Sequence, residues 1–130
     1  MLHCVPVSDF DYGSARRFLH RREETRREAL QGRLQAARRD FDRIVDLVVE
    51  KYHPKRIYQW GSLLHPRAFS ERSDIDIAVE GIASSEDFLA LYGEACELTG
   101  FEVDLVQLEK AYPAHAASIR ERGRLIYERT

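Results

Sequence analysis

Two cysteines, four prolines, one methionine and one tryptophan are few for a chain of 130 residues, and each shortage closes off a class of protein. Cys4 and Cys96 form no Cys-x-x-Cys pair, and the five histidines are scattered without zinc-ligand spacing. Neither a disulfide scaffold nor a structural zinc site is spelled out. The opening residues lack the pattern of a secretory leader, so both thiols are expected free in a reducing cytoplasm. No apolar run approaches the ~20 residues needed to cross a bilayer. The formal net charge is only -2, which offers no broad basic surface for nucleic acid.

What charge there is divides unevenly. Residues 1–43 carry ten arginines against seven acidic residues, while the remainder is acidic by about five charges. This points to a basic helical extension over 1–43 ahead of a compact domain over 44–130. The length is that of one compact unit. Residues 1–13 hold Pro6 and Gly13 and show no period, so they read as a lead-in. From Ser14, a plausible N-cap, apolar residues recur at steps of three and four: Leu30, Leu34, Ala37, Phe41, Ile44, Val48 and Tyr52. A helix, or two in succession, is expected over about 14–52, stopped by Pro54. The stripe from Leu30 suits a core-facing surface. The turns before it carry little apolar content beyond Phe18 and Leu19, so that part is expected to protrude and to offer a surface for a second copy or a partner.

Beyond Pro54 the period shortens. Residues 56–60 read as a strand ended by Gly61, 75–79 as a second ended by Gly81, and 101–108 as a third. Between the last two, Ser84-Ser85-Glu86-Asp87 opens an amphipathic helix that runs towards Gly100. Pro113 starts a final helix to about Glu121, and Leu125-Ile126-Tyr127 closes the chain. Strands alternating with helices predict an α/β (α+β) fold, one small sheet covered by helices.

The chemistry is concentrated in "QWGSLLHPRAFSERSDIDIAVEG", residues 59–81. In a strand Asp74, Asp76 and Ala78 share one face, leaving Ile75, Ile77 and Val79 to the core. Two carboxylates on a rigid element suit a hard cation, magnesium above all, which takes phosphate oxygens and waters as its other ligands. Asp-x-Asp alone is weak, because such pairs are frequent on solvated faces. Three further features strengthen it. Gly61-Ser62 follows a strand and allows close approach of backbone N–H groups to a phosphate. Ser73 sits where it can close the turn into the acidic strand. Asp104 is a lone carboxylate among Val103, Leu105 and Val106, where an uncompensated charge is costly. Three carboxylates on adjacent strands suit a two-metal site for in-line displacement at phosphorus. His65 reads as an exposed loop histidine rather than a base, and Trp60 and Tyr58 as core rather than a stacking platform for a base.

Gly61-Ser62, then Ser73-Asp74-Ile75-Asp76, then Asp104 within "EVDLVQLEKA", resemble the nucleotidyltransferase superfamily that includes DNA polymerase beta. The closer likeness, over residues 44–130, is to the minimal nucleotidyltransferases (MNT), small domains often paired with a HEPN toxin; the tail "PAHAASIRERGRLIYER" shares in it. The resemblance implies that Asp74, Asp76 and Asp104 hold magnesium, with Asp104 also helping to deprotonate an acceptor hydroxyl. It implies that Gly61, Ser62, Ser73 and Arg67 serve the nucleotide, and that AMP passes from ATP to a hydroxyl on a HEPN-like toxin. One stretch departs from the pattern. Where the family has a small residue, an arginine and a glycine after Gly-Ser, this chain has Leu63-Leu64-His65-Pro66-Arg67, and the interval to Ser73 is one residue longer. The alternative is therefore a catalytically weak module of the same fold that acts by docking on a partner protein.

Overall fold

The computed structural model describes residues 11–130. Cys4 and the first ten residues of the expected lead-in lie outside the described residues. The long helix, α1 (Tyr12–Leu47), begins before Ser14: Asp11 is the cap, its carboxylate accepting the Ser14 N–H at 3.0 Å and the Ser14 hydroxyl at 2.5 Å. A carboxylate three residues ahead of a donor satisfies one of the open N–H groups of the first turn, which a Ser14 cap would have left outside the helix. Gly32 faces open space and does not interrupt the helix. At about 1.5 Å per residue the helix is ~54 Å long, and its two halves differ. Phe18 and Leu19 are about 60% exposed, whereas Leu34, Ala37, Phe41 and Ile44 are buried. The helix thus runs unbroken through residues 43 and 44, and its second half is part of the core. It closes in a π turn (Val48–Tyr52), followed by His53 in the left-handed region (φ 49°) and by Pro54. That wider turn spends an extra residue and re-aims Tyr52, whose hydroxyl donates to Glu94 at 2.6 Å.

Four strands follow: β1 (Arg56–Gln59), β2 (Ile75–Glu80), β3 (Val103–Gln107) and β4 (Arg124–Glu128). They form one sheet in the order β3-β2-β1-β4. β1 pairs antiparallel with β2 and β4, and β2 pairs parallel with β3. The parallel pair requires a crossover, supplied by α2 (Ser85–Leu98), whose N-cap Ser84 accepts the Asp87 N–H at 3.2 Å. The last helix, α3 (Pro113–Arg122), starts on its proline and ends at Gly123, where β4 begins. The sheet is mixed and helices cover it, the α/β architecture expected from the sequence.

Strand alternation divides the interior in two. Ile75, Ile77 and Val79 face the larger core, with the second half of α1 and with Leu91 and Ala95 of α2. Ala78 and Tyr58, register partners across β2 and β1, face a smaller core with Leu108, Ala116 and Ile119 beneath α3. Asp76 lies two residues from Ala78 and shares its face. The short α3 covers only part of that face, so the end of β2 bearing Asp76 stays accessible. No helix among the described residues is long and apolar enough to cross a membrane, and Cys96 is a free, exposed thiol.

Candidate active site

β2 and β3 are in parallel register with Asp76 opposite Asp104. Register partners in a parallel pair point to the same face, and neighbouring strands lie about 4.7–4.9 Å apart. The two carboxylates are therefore side by side, and Asp74 stands just before β2 begins. The electrostatics follow from this placement. Partial burial pushes the Asp76 carboxyl up to about 7, and the charges of Asp104 and then Asp74 add to the shift. A carboxyl that holds its proton so tightly is short of positive charge in its surroundings.

Gly61 supplies the opposite wall. Its φ is +79°, and a Cβ there would overlap the Asp76 carboxylate. Only glycine fits, on both conformational and steric grounds. The Trp60 N–H donates to the Asp76 carbonyl at 3.3 Å, so the end of β1 is tied to the acidic strand as the chain turns into the short 3-10 helix Gly61–Leu64. Ser73 closes the turn before Asp74: its Oγ accepts the Ser70 N–H at 2.8 Å, while its own N–H donates to the Ser70 carbonyl at 3.2 Å.

The structure thus brings together Asp74, Asp76, Asp104 and Gly61, with half-buried Ser62 next in sequence. Arg67 is different. It is exposed on a second 3-10 turn (Pro66–Ala68) and lines neither of the clefts that border Gly61 and Asp74. One of these, about 280 Å³, is lined by Ser73 and Asp74 together with Arg33 and Arg72. Arg33 comes from α1 and stacks its guanidinium 4.6 Å above the Phe101 ring, so the basic segment reaches the edge of the site. The other, about 220 Å³, lies between the Gly61 turn and α3 and is lined by Trp60, Gly61, His65, His115, Ser118 and Arg122. Trp60 and His115 meet there edge to face, 5.3 Å between centroids. The α3 residues were missed by sequence reasoning, although His115, Ser118 and Arg122 at i, i+3 and i+7 spell one helical face.

The family model described as polymerase beta, nucleotidyltransferase matches residues 42–130, more than half of the chain. The chain belongs to this family. Its nucleotidyltransferase domain starts inside α1, at the turns where that helix enters the core, and includes every carboxylate of the site. No curated protein matches the chain.

Among the described residues no three His, Cys, Asp or Glu side chains close around a point as a metal cage. Magnesium does not require one. It characteristically takes one or two carboxylates and fills its octahedron with waters and substrate phosphates. The adjacent pair Asp76 and Asp104, with Asp74 alongside and Asp76 short of positive charge, is a donor set that fits such a shared ion.

Proposed function

We propose that the protein is a magnesium-dependent nucleotidyltransferase that moves a nucleoside monophosphate, AMP from ATP, onto a hydroxyl. The observation that carries this reading is the adjacency of Asp76 and Asp104 across β2 and β3, with the Gly61 backbone pressed against Asp76. In the transfer, the acceptor oxygen bonds to the α-phosphorus and the bond from that phosphorus to the oxygen bridging the β-phosphorus breaks. The electron pair leaves with pyrophosphate, and the hydroxyl proton passes to a carboxylate, for which exposed Asp104 is placed. Magnesium, held by Asp74, Asp76 and Asp104, would neutralise charge on the phosphates. Gly61 and Ser62 offer backbone and hydroxyl donors, and Ser73 closes the turn that leads into Asp74. Positioning and charge neutralisation account for most of such a reaction.

The acceptor best supported by the resemblance to minimal nucleotidyltransferases is a hydroxyl on a HEPN-like toxin, which would make this chain a cytoplasmic antitoxin that modifies its partner. Incubation with ATP, magnesium and such a partner, followed by intact mass measurement, tests this directly. An added AMP that disappears with Asp76→Asn supports the reading; an unmodified partner with wild-type protein counts against it.

A second reading has its own observation. Arg67 sits on an exposed turn behind Pro66 and lines neither cleft of the site, and α1 is rich in arginine. On this reading the protein docks on its partner without modifying it. Asp76→Asn would then be silent, and charge reversal at Arg26, Arg33 or Arg38 would weaken the complex.

A further inference from the structure

A larger cavity, about 490 Å³, lies on the face of the sheet opposite Asp76, between α1, the start of β4 and the turn that follows Gly61. Tyr58 faces the smaller core, so Gln59 beside it in β1 turns the other way, towards α1. Gln59 is only 8% exposed, and its side chain makes no hydrogen bond among the described residues. A buried primary amide carries both donors and an acceptor, and leaving them idle is costly. The amide is not sealed in, because the enclosed side-chain atoms without partners are the Trp60 indole nitrogen and one Glu80 oxygen. It opens on the cavity that Gln59 lines. Arg38 of α1 and Arg124 of β4 line the same cavity, exposed and in no ion pair among the described residues. Phe41, Leu64 and Ile126 supply apolar surface, and Asp42 adds one carboxylate. Two arginines against one aspartate leave the lining with a net charge of +1.

Such a lining disfavours a polyphosphate, whose several negative charges would meet Asp42. It suits a ligand with one negative charge, an amide group and an apolar side chain close together. The last residue of a polypeptide has all three. We propose that the cavity captures the free C-terminus of a partner polypeptide that ends in an apolar residue. The terminal carboxylate is met by Arg38 and Arg124, the last peptide group pairs with the Gln59 amide, and the side chain packs on Phe41, Leu64 and Ile126. The cavity's position favours a polypeptide over a free acyl amino acid. It borders β4, an edge strand of the sheet, whose unpaired edge can take the preceding residues as an added strand. The inference does not depend on nucleotidyl transfer. Because the cavity and Asp76 lie on opposite faces, docking there leaves the acidic face open.

Amide chemical-shift mapping by NMR on the full isotope-labelled chain tests this. The probes are the peptide acetyl-Ala-Ser-Gly-Leu as the free acid, the same peptide as its C-terminal amide, and N-acetyl-leucine. The free acid is expected to shift the amides of Gln59, Leu64, Arg124 and Ile126 saturably, and the C-terminal amide should bind about tenfold more weakly or worse. Arg38→Gln and Arg124→Gln should each weaken the free acid about tenfold, and Gln59→Leu about threefold. Asp42→Asn should tighten it, and Arg16→Gln, on the remote end of α1, should leave it unchanged. The peptide should bind about fivefold more tightly than N-acetyl-leucine, through the added backbone hydrogen bonds. No saturable shift at these amides, equal binding of acid and amide, or arginine variants that are folded by circular dichroism and bind like wild type would each overturn the proposal. Equal affinity for N-acetyl-leucine and the peptide would overturn it too, because the site would then read a free acyl amino acid and not a chain end.

Discussion

At pH 8 Asp76 is ionised beside Asp104 and Asp74, in a half-buried position with no ion-pair partner among the described residues, and this arrangement should cost stability. The carboxyl titrates near 7 in the folded protein and near 3.9 in an unfolded chain. Between these values the native state binds the extra proton, so stability falls as pH rises from about 4 to about 7. Three pK units correspond to about 4 kcal/mol, and solvent screening of a half-exposed group reduces this to about 1–2 kcal/mol. Asp76→Asn removes the charge and keeps the shape. Urea unfolding at pH 4 and pH 8, followed by far-ultraviolet circular dichroism, should show the variant about 1–2 kcal/mol more stable than wild type at pH 8 and nearly equal at pH 4. Magnesium should recover part of the difference for wild type and none for the variant. A variant no more stable than wild type at pH 8 would refute the reasoning, because Asp76 would then have met no uncompensated charge.

The remaining predictions concern the scaffold. Gly61→Ala forces a side chain into a positive φ and into Asp76; it should cost about 1–3 kcal/mol in urea midpoint analysis and abolish nucleotide binding by calorimetry. Arg56 bridges Glu80 at 3.0 Å and Glu128 at 2.6 Å across the central strands, and Glu80 already has one buried oxygen without a hydrogen bond; Arg56→Ala should lower the thermal midpoint more than Arg16→Ala on the exposed end of α1. Arg33→Ala removes the stacked cation over Phe101 and should destabilise by about 0.5–1 kcal/mol, with faster hydrogen exchange at Phe101. Amides of residues 14–28 should exchange far faster than those of 34–47, because only the latter half of α1 is packed into the core.

Periodicity carried much of this structure. The three- and four-residue steps from Leu34 to Val48 appear as the buried face of α1 and of the π turn that closes it, and the alternation in Ile75-Asp76-Ile77-Ala78-Val79 separates core from site as a strand must. Boundaries were harder to place. The helix begins at Asp11 because a side chain reaches forward to cap it, and it ends in a π turn because Tyr52 packs and bonds to Glu94; neither contact has a periodic signature. The loop from Leu63 to Arg72 shows the same division. Pro66 announced an irregular segment, but the exposure of Arg67 depends on two successive 3-10 turns.

The sequence by itself determined the class of the fold and the order of its chemical groups: Gly-Ser after a strand, two aspartates sharing a face, a third in a later strand. These are local properties, dictated by side-chain alternation and by the conformations open to glycine and proline. Tertiary structure decided which groups meet. Parallel register sets Asp104 against Asp76, the positive φ of Gly61 presses backbone onto that carboxylate, and the packing of α3 over Tyr58 and Ala78 carries His115 and Arg122 to the same turn. Residues more than fifty positions apart in the chain become neighbours only through the sheet, because register and helix docking are set by the joint burial of many side chains rather than by any one segment.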